Sequence, residues 1–216
     1  PLVAATDLNT KSREALVNIL CTGAGGPLRP VSGSGIIIDS RGVILTNAHI
    51  GQFLLLKDYP FEGAIECVIR TGSPARTLYK TELLYLPPQW IADNAHKIVL
   101  DSPTGTGEND YALLLITGRT DPTATLPPSF PYIAPDTLVQ PALGEEMLLV
   151  GYPAGFLDGA TIQTNLYATS AYTSVREIFN FEAGGQVSLI SIAGTVLSQH
   201  GSSGGGVVRK DSGKLQ

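Results

Sequence analysis

The chain has 216 residues, of which 43% are hydrophobic and 15% are charged. This length can hold one large β domain or two small barrels, and the hydrophobic content is sufficient for well-packed cores. With 14 Lys and Arg against 19 Asp and Glu, the net charge is −5, and no basic stripe favours a nucleic-acid partner. No apolar run reaches the roughly 18 residues that a membrane-spanning helix needs.

The first part of the chain alternates short apolar runs with turns. A polar segment at residues 7–14 predicts one short helix, which Asp7 or Thr10 can cap. Runs rich in β-branched and aliphatic residues then occupy residues 15–22, 31–39, 42–47, 64–71, 78–86 and 111–116. Six short strands at this spacing predict an antiparallel barrel. Between the last two runs, residues 89–100 carry apolar side chains spaced for one face and predict a helical insert.

Proline is concentrated in the middle of the chain. Residues 119–141 contain six prolines, a density that excludes a regular helix or a central strand. Beyond them, residues 146–151, 161–170, 186–192 and 206–209 have the composition of strands. We therefore predict an N-terminal barrel over residues 1–120, an inter-barrel linker over residues 121–140 and a C-terminal barrel over residues 141–216.

Cys21 and Cys67 are the two cysteines of the chain, and they lie in separate strand-like runs. One interpretation is a pair of buried free thiols, since cysteine packs as a small hydrophobic residue. Their spacing matches no metal-site pattern. We expect neither a metal nor a cofactor.

A glycine-rich turn, Gly201-Ser202-Ser203-Gly204-Gly205-Gly206, lies late in the chain between two apolar runs. Its glycines allow a tight turn with unusual dihedral angles, so that successive backbone N–H groups and one hydroxyl can point into the same small space. An acyl-transfer nucleophile needs this arrangement. A flexible Gly/Ser loop has the same composition, so the turn alone does not decide between the two interpretations.

Two further segments supply the groups that a nucleophilic serine requires. The run GSGIIIDSRGVILTNAH ends at His49, and Asp110 opens the run DYALLLI. A histidine, an aspartate and a serine, each at the end or the beginning of a β-rich run, are the three parts of a Ser-His-Asp triad. In their order, His, Asp and Ser, these motifs resemble the chymotrypsin-like (trypsin-like) serine proteases. The histidine segment is most similar to the HtrA/Deg branch of that family.

The resemblance implies an all-β fold of two six-stranded antiparallel Greek-key barrels with short helices. In that fold the first and fourth strands are neighbours, so a disulfide bond between Cys21 and Cys67 becomes possible. Two further strands would follow residue 209, but only residues 210–216 remain. We therefore expect the second barrel to lack its last two strands, and a C-terminal fragment or a further domain is a possible partner that completes the fold.

The resemblance also implies a role for each residue of the triad. Ser203 would attack the scissile carbonyl, His49 would take its proton and return it to the leaving amine, and Asp110 would orient the imidazole. Histidine suits this work because its ring titrates near neutral pH. The backbone N–H groups of Gly201 and Ser203 would form the oxyanion hole.

The substrate pocket is expected in the residues that precede the turn. By resemblance, its base lies about six residues before the nucleophile, at residues 195–198, which include Leu197 and Ser198. These residues carry no charge, and an unpaired buried charge is costly, so we expect the pocket to accept a small or medium apolar P1 side chain. Gln199 and His200 would line the entrance.

The leading hypothesis is a serine endopeptidase that acts on protein or peptide substrates through an acyl-enzyme. The resemblance implies an extracytoplasmic location, either secreted or periplasmic. One alternative is a processing protease that cuts after glutamine, for which the end of the chain at Lys214-Leu215-Gln216 would be a self-cleavage site. Another is a non-catalytic scaffold on the same fold, although a scaffold has no need of all three triad residues.

Overall fold

Short strands account for most of the regular structure in this computed structural model, which describes residues 5–24, 30–98, 100, 107–155, 157–180, 187–195, 197 and 199–216. The described strands are β1 (Leu16–Gly23), β2 (Val31–Asp39), β3 (Val43–Thr46), β4 (Ile65–Thr71), β5 (Arg76–Tyr85), β6 (Ala112–Arg119), β7 (Glu146–Gly151), β8 (Thr169–Phe179), β9 (Leu189–Ile192) and β10 (Gly206–Arg209). The described helices are α1 (Ala5–Ala15), α2 (Ala48–Gly51), α3 (Pro88–Asn94) and α4 (Gly159–Thr164), with 3₁₀ segments at Gln52–Leu56 and Ala95–Lys97.

The first six strands close into an antiparallel barrel in the order β1-β2-β3-β6-β5-β4. Aliphatic side chains fill its interior, among them the fully buried Ile19, Ile44 and Leu114, because alternate residues of each strand point inward. β1 and β4 are neighbours, and Cys21 lies directly opposite Cys67. The two cysteines form a disulfide bond, so the interpretation as free thiols is wrong.

The second unit is an open antiparallel sheet. In the part of the chain that the structure describes, it has four strands in the order β10-β7-β8-β9. β7 pairs with β8 from Glu146 opposite Ser174 to Gly151 opposite Thr169, and β10 pairs with the other edge of β7. The predicted all-β class is therefore confirmed, with a closed barrel, a second sheet that has fewer strands and a few short helices.

One predicted strand, at residues 161–170, is wrong. The first part of this segment belongs to α4, and β8 begins only at Thr169. β-branched residues such as Ile162 favour a strand, but Asp158 precedes them and caps the helix, since its carboxylate accepts a hydrogen bond from the Thr161 N–H at 2.9 Å. The local cap outweighs the propensity of the following residues.

The barrel and the second sheet share a hydrophobic core. Leu16 and Ile36 of the barrel belong to the same buried cluster as Leu148 and Val208 of the sheet, and Leu8 of α1 joins it. α1 therefore packs between the two units, although it leads directly into β1. The predicted boundaries at residues 120 and 140 stay a prediction; the barrel strands end at Arg119, and the sheet begins at Glu146. None of the described helices is long and apolar enough to cross a membrane.

Candidate active site

His49 and Asp110 form a buried hydrogen-bonded pair at one end of the barrel. His49 lies in α2, which begins immediately after β3, and Asp110 lies two residues before β6. β3 and β6 are paired, so the two residues are brought together by the barrel register. The Asp110 carboxylate is 2.8 Å from His49 Nδ1 and accepts the His49 backbone N–H at 2.9 Å. Both side chains are only 8% exposed.

The contacts of the Asp110 carboxylate determine which nitrogen of His49 can act as a base. The carboxylate is acceptor-only when ionised, so Nδ1 must carry the proton that it donates to Asp110. Nε2 is then the unprotonated nitrogen and can accept a proton from a hydroxyl. Asn47 donates from Nδ2 to the Asp110 backbone carbonyl at 2.8 Å and to its carboxylate at 3.2 Å, which fixes the aspartate in place.

Small residues allow α2 to pack closely against the barrel. Ala48 precedes His49 and Ala112 lies two residues after Asp110; both belong to a buried cluster with Leu86 and with Trp90 of α3. A Cβ atom at Gly51 would lie 2.6 Å from the Ala112 Cβ, so a larger residue would push α2 away from β6. The helical insert predicted from the sequence thus supports the segment that carries His49.

The glycine-rich turn contains positions where only glycine fits, and at Gly204 it contacts the first barrel. Gly201 and Gly204 have φ values of 89° and 81°, which side chains rarely tolerate. A Cβ atom at Gly204 would overlap the Ser34 carbonyl and the Thr46 hydroxyl. Gly204 therefore lies against the end of β3, next to the segment that leads to His49.

A cavity of about 190 Å³ lies between the glycine turn and the Asp110 segment, and Asp110, Gly204, Gly205 and Leu215 are among the residues that line it. His49 and Ser203 are not among those lining residues, and Ser203 is half-buried. No hydrogen bond joins Ser203 to His49 among the described residues. Such a bond commonly becomes short only when a substrate is bound.

The two adjacent serines of the turn differ in their surroundings. The Ser202 hydroxyl is buried and has no hydrogen-bond partner among the described residues. Its Cβ lies near the backbone of Gly151 in the second sheet, beneath the turn. The side chain of Ser202 is thus directed into the protein, and Ser203 remains the candidate nucleophile of the turn.

Hydrogen bonds around the turn determine the direction of two backbone N–H groups. The His200 carbonyl accepts the N–H groups of Ala154 and Gly155 at 2.7 and 3.0 Å, and the Ser202 carbonyl accepts the Gly205 N–H at 2.8 Å. In a trans peptide the N–H points opposite to the C=O. The N–H groups of Gly201 and Ser203 therefore point away from these acceptors, and neither donates to another residue in the described ranges.

The four predicted pocket residues lie in different surroundings. Leu197 is 5% exposed and packs in the core of the second sheet with Met147, Leu149 and Val175. Ser198 lies outside the described residues. The side chains of Gln199 and His200 are exposed beside the turn, and Gln199 packs over the backbone of Gly155. Among the described residues, no group of three or more His, Cys, Asp or Glu side chains could hold a metal ion.

Two buried polar side chains, those of Arg70 and Tyr152, join the barrel to the part of the chain that follows β7. Arg70, at 1% exposure, donates from Nη1 to the carbonyls of Ile162 and Gln163 at the end of α4, and burial lowers its pKa. Tyr152 is fully buried and donates its hydroxyl to the Gly72 carbonyl at 2.7 Å. Burial raises the pKa of Tyr152 to about 12.

Comparison with known proteins identifies the class to which this fold and site belong. Residues 33–215 match the family model of the trypsin-like peptidase domain, and the chain therefore belongs to this family. It is a serine protease of the trypsin-like class. No curated protein sequence matches the chain significantly.

The solved structures show how widely the fold is shared. Among the 603 solved chains that match significantly is the structure described as the crystal structure of Deg5, with a TM-score of 0.61 and 19% sequence identity, covering 97% of this chain and 80% of that chain. The chymotrypsin-like fold predicted from the sequence is confirmed. The fold shared with Deg5 agrees with the predicted resemblance to the HtrA/Deg branch.

Proposed function

We propose that the protein cleaves peptide bonds by nucleophilic attack of Ser203 with His49 as base, through an acyl-enzyme. The observation that carries this proposal is the buried 2.8 Å hydrogen bond between His49 Nδ1 and Asp110. It is supported by the cavity that Asp110 shares with Gly204, the residue that follows Ser203 in the turn. Nε2 of His49 takes the Ser203 proton and later gives it to the leaving amine. Asp110 keeps the ring in the required tautomer and stabilises the imidazolium that forms.

The N–H groups of Gly201 and Ser203 are proposed to bind the oxyanion of the tetrahedral intermediate. Their direction supports this role, because the carbonyls of His200 and Ser202 are hydrogen-bonded on the opposite side. One donor of this kind is typically worth about 3 kcal/mol in the transition state. Water supplies the second nucleophile, which releases the acid product from the acyl-enzyme and restores Ser203.

An apolar P1 side chain is proposed as the preferred substrate residue. The support is the chemistry of the segment before the turn, where the side chain of Leu197 belongs to an apolar cluster and Gln199 is uncharged. A lysine or glutamate at P1 would find no charged partner in residues 195–199. An extracytoplasmic location is proposed as well, and the Cys21–Cys67 disulfide supports it, because disulfides persist in oxidising compartments.

Replacement of Ser203 by alanine tests the proposed reaction. Ser203→Ala should abolish covalent labelling by a fluorophosphonate probe and lower kcat/KM on a protein substrate by about 10⁵-fold or more, while the fold persists. Intact-mass spectrometry and peptide mapping locate the modified residue.

Ser202→Ala is the matched control for this experiment. It removes a hydroxyl from the neighbouring residue, but that hydroxyl has no partner among the described residues and is directed into the protein. The control should be labelled as the wild type is. Labelling that survives in Ser203→Ala and disappears in Ser202→Ala would overturn the assignment of the nucleophile.

A further inference from the structure

Ser34 makes four hydrogen bonds at the junction of the barrel, the second sheet and the glycine turn. It lies in β2 between Gly33 and Gly35, just before the apolar run of the strand, and is fully buried. Its hydroxyl donates to the Gly201 carbonyl at 2.7 Å and accepts the Tyr152 N–H at 2.9 Å. Its backbone N–H donates to the Ser203 carbonyl at 2.7 Å, and its carbonyl accepts the Thr46 hydroxyl at 2.7 Å.

These bonds fix two peptide planes of the turn. The Gly201 carbonyl belongs to the peptide between the two proposed oxyanion-hole donors, and the Ser203 carbonyl belongs to the next peptide but one. In the described part of the chain, the Ser34 hydroxyl is the partner of the Gly201 carbonyl. If that bond were lost, the peptide could rotate, and the directions of the N–H groups of Gly201 and Ser203 on either side of it would change.

We propose that the Ser34 hydroxyl is a positioning residue for the oxyanion hole, and this inference rests on the proposed function. Ser34 touches no reacting atom. It acts through the Gly201 carbonyl and joins the turn to the barrel that carries His49 and Asp110. The distance between the nucleophile turn and the base is therefore controlled in part by one buried side chain of β2.

A hydroxyl suits this position because it must donate and accept within a small space. A Cβ atom at Gly33 would lie 2.9 Å from the side chain of Ile50, and one at Gly35 would lie 2.7 Å from Ile44, so the surroundings of Ser34 are tightly packed. An alanine would leave the Gly201 carbonyl and the Tyr152 N–H buried without this partner. The site therefore needs a small side chain with both a donor and an acceptor.

The test is the reaction of Ser34→Ala with a fluorophosphonate probe, analysed for the maximal rate constant of inactivation and for the half-saturating probe concentration. We expect the maximal rate constant to fall by about 10- to 100-fold, as for a displaced oxyanion-hole donor, with the half-saturating concentration changed by less than about twofold. The pH at which labelling reaches half its plateau should stay the same, because Ser34 contacts neither His49 nor Asp110.

Ser32→Ala is the matched control. Ser32 lies two residues away on the same strand, and its hydroxyl accepts a hydrogen bond from Asn18 rather than from the turn. The Ser32→Ala variant should be labelled by the probe at nearly the wild-type rate. Hydrogen exchange of peptides that cover residues 199–205 gives a readout without catalysis, and exchange there should be faster in Ser34→Ala than in Ser32→Ala.

Ser34→Cys is the conservative variant, because a thiol is a weaker donor and acceptor. Its maximal rate constant should lie between those of Ser34→Ala and the wild type. If Ser34→Ala does not fold, a folded Ser34→Cys that is labelled at the wild-type rate overturns the role of Ser34. A folded Ser34→Ala that is labelled at the wild-type rate also overturns the role of Ser34. A wild-type protein that is not labelled at all overturns the proposed function instead. In that case, hydrogen exchange still tests whether Ser34 holds the turn in place.

Discussion

Individual buried polar residues determine how the candidate site is held together. Asp110 is enclosed by donors from His49 and Asn47, so both of its buried carboxylate oxygens have hydrogen-bond partners. Tyr152 has a different role, since it lies behind the glycine turn and joins the end of β7 to the barrel through its hydroxyl. Its burial has a measurable consequence for the pH dependence of stability.

The folded protein should lose a contribution of Tyr152 to stability at alkaline pH. The pKa of Tyr152 rises from about 10 to about 12 on folding because burial disfavours the phenolate. A raised pKa in the folded state means that this contribution is complete below pH 10 and is lost as the pH rises from about 10 to about 12. Two pKa units correspond to about 2 to 3 kcal/mol.

Tyr152→Phe isolates this contribution. The difference in the free energy of unfolding between the wild type and Tyr152→Phe, measured with urea, should shrink between pH 9 and pH 11.5. A difference that stays constant over this range would show that the phenol is not protected from ionisation by burial.

Some residues of the candidate site can be predicted from the sequence, and others cannot. Each of the motifs that carry His49, Asp110 and Ser203 also has a structural interpretation on its own, and their combination and order indicate the triad. Ser34 lies in the GSG run of the histidine motif, but the sequence assigns it no role; only the three-dimensional contact with Gly201 does so. The one available signal was a polar residue at a position where the strand is buried.

At the level of elements, the strands of the barrel follow their composition closely, and α4 does not. β2 of the barrel and β7 of the second sheet both begin and end at the residues predicted from the sequence, because the residues in the middle of each strand are buried. The residues of α4 have strand propensity, so the sequence predicts a strand there, whereas the Asp158 cap favours a helix. The segment is short and exposed, so local hydrogen bonds decide its structure.

The glycine turn is the element whose sequence is most restricted by its contacts. Gly204→Ala should lower the stability by clearly more than the 1–2 kcal/mol that a left-handed alanine costs, because its Cβ would also overlap Ser34 and Thr46. Labelling by the fluorophosphonate probe should fall as well, since the turn must move away from β3. Thermal unfolding and labelling rates measure the two effects.

Gly144→Ala is the matched control for Gly204→Ala. Gly144 has a φ of 78°, but a Cβ atom there would have no neighbour within 4 Å. It should therefore show the backbone cost alone and retain wild-type labelling. Equal losses of stability in the two variants would mean that the contact between the turn and β3 is not as close as the structure indicates.

For the whole molecule, the Cys21–Cys67 disulfide closes the barrel between its first and fourth strands. The two cysteines are 46 residues apart in the sequence, and for such a loop the chain-entropy model gives a stabilisation of about 4 kcal/mol. A Cys21→Ser/Cys67→Ser double variant should therefore unfold at a lower temperature. Both thiols of the wild type should resist alkylation until a reductant is added.

The two single variants serve as controls for this experiment. Cys21→Ser and Cys67→Ser each leave one free thiol, and each should lose about as much stability as the double variant, because either change removes the same bond. A double variant with the wild-type melting temperature would contradict the predicted contribution of the disulfide.

The common core of the barrel and the second sheet makes catalytic activity a sensitive measure of their association. The proposed base His49 and Asp110 adjoin strands of the barrel, whereas the proposed nucleophile Ser203 belongs to the turn that leads into β10. A slight separation of the units would disable the site while each sheet kept its own hydrogen bonds. Heat or denaturant should accordingly inactivate the protein before its circular dichroism changes. A ligand that contacts both units should stabilise their association and delay this inactivation.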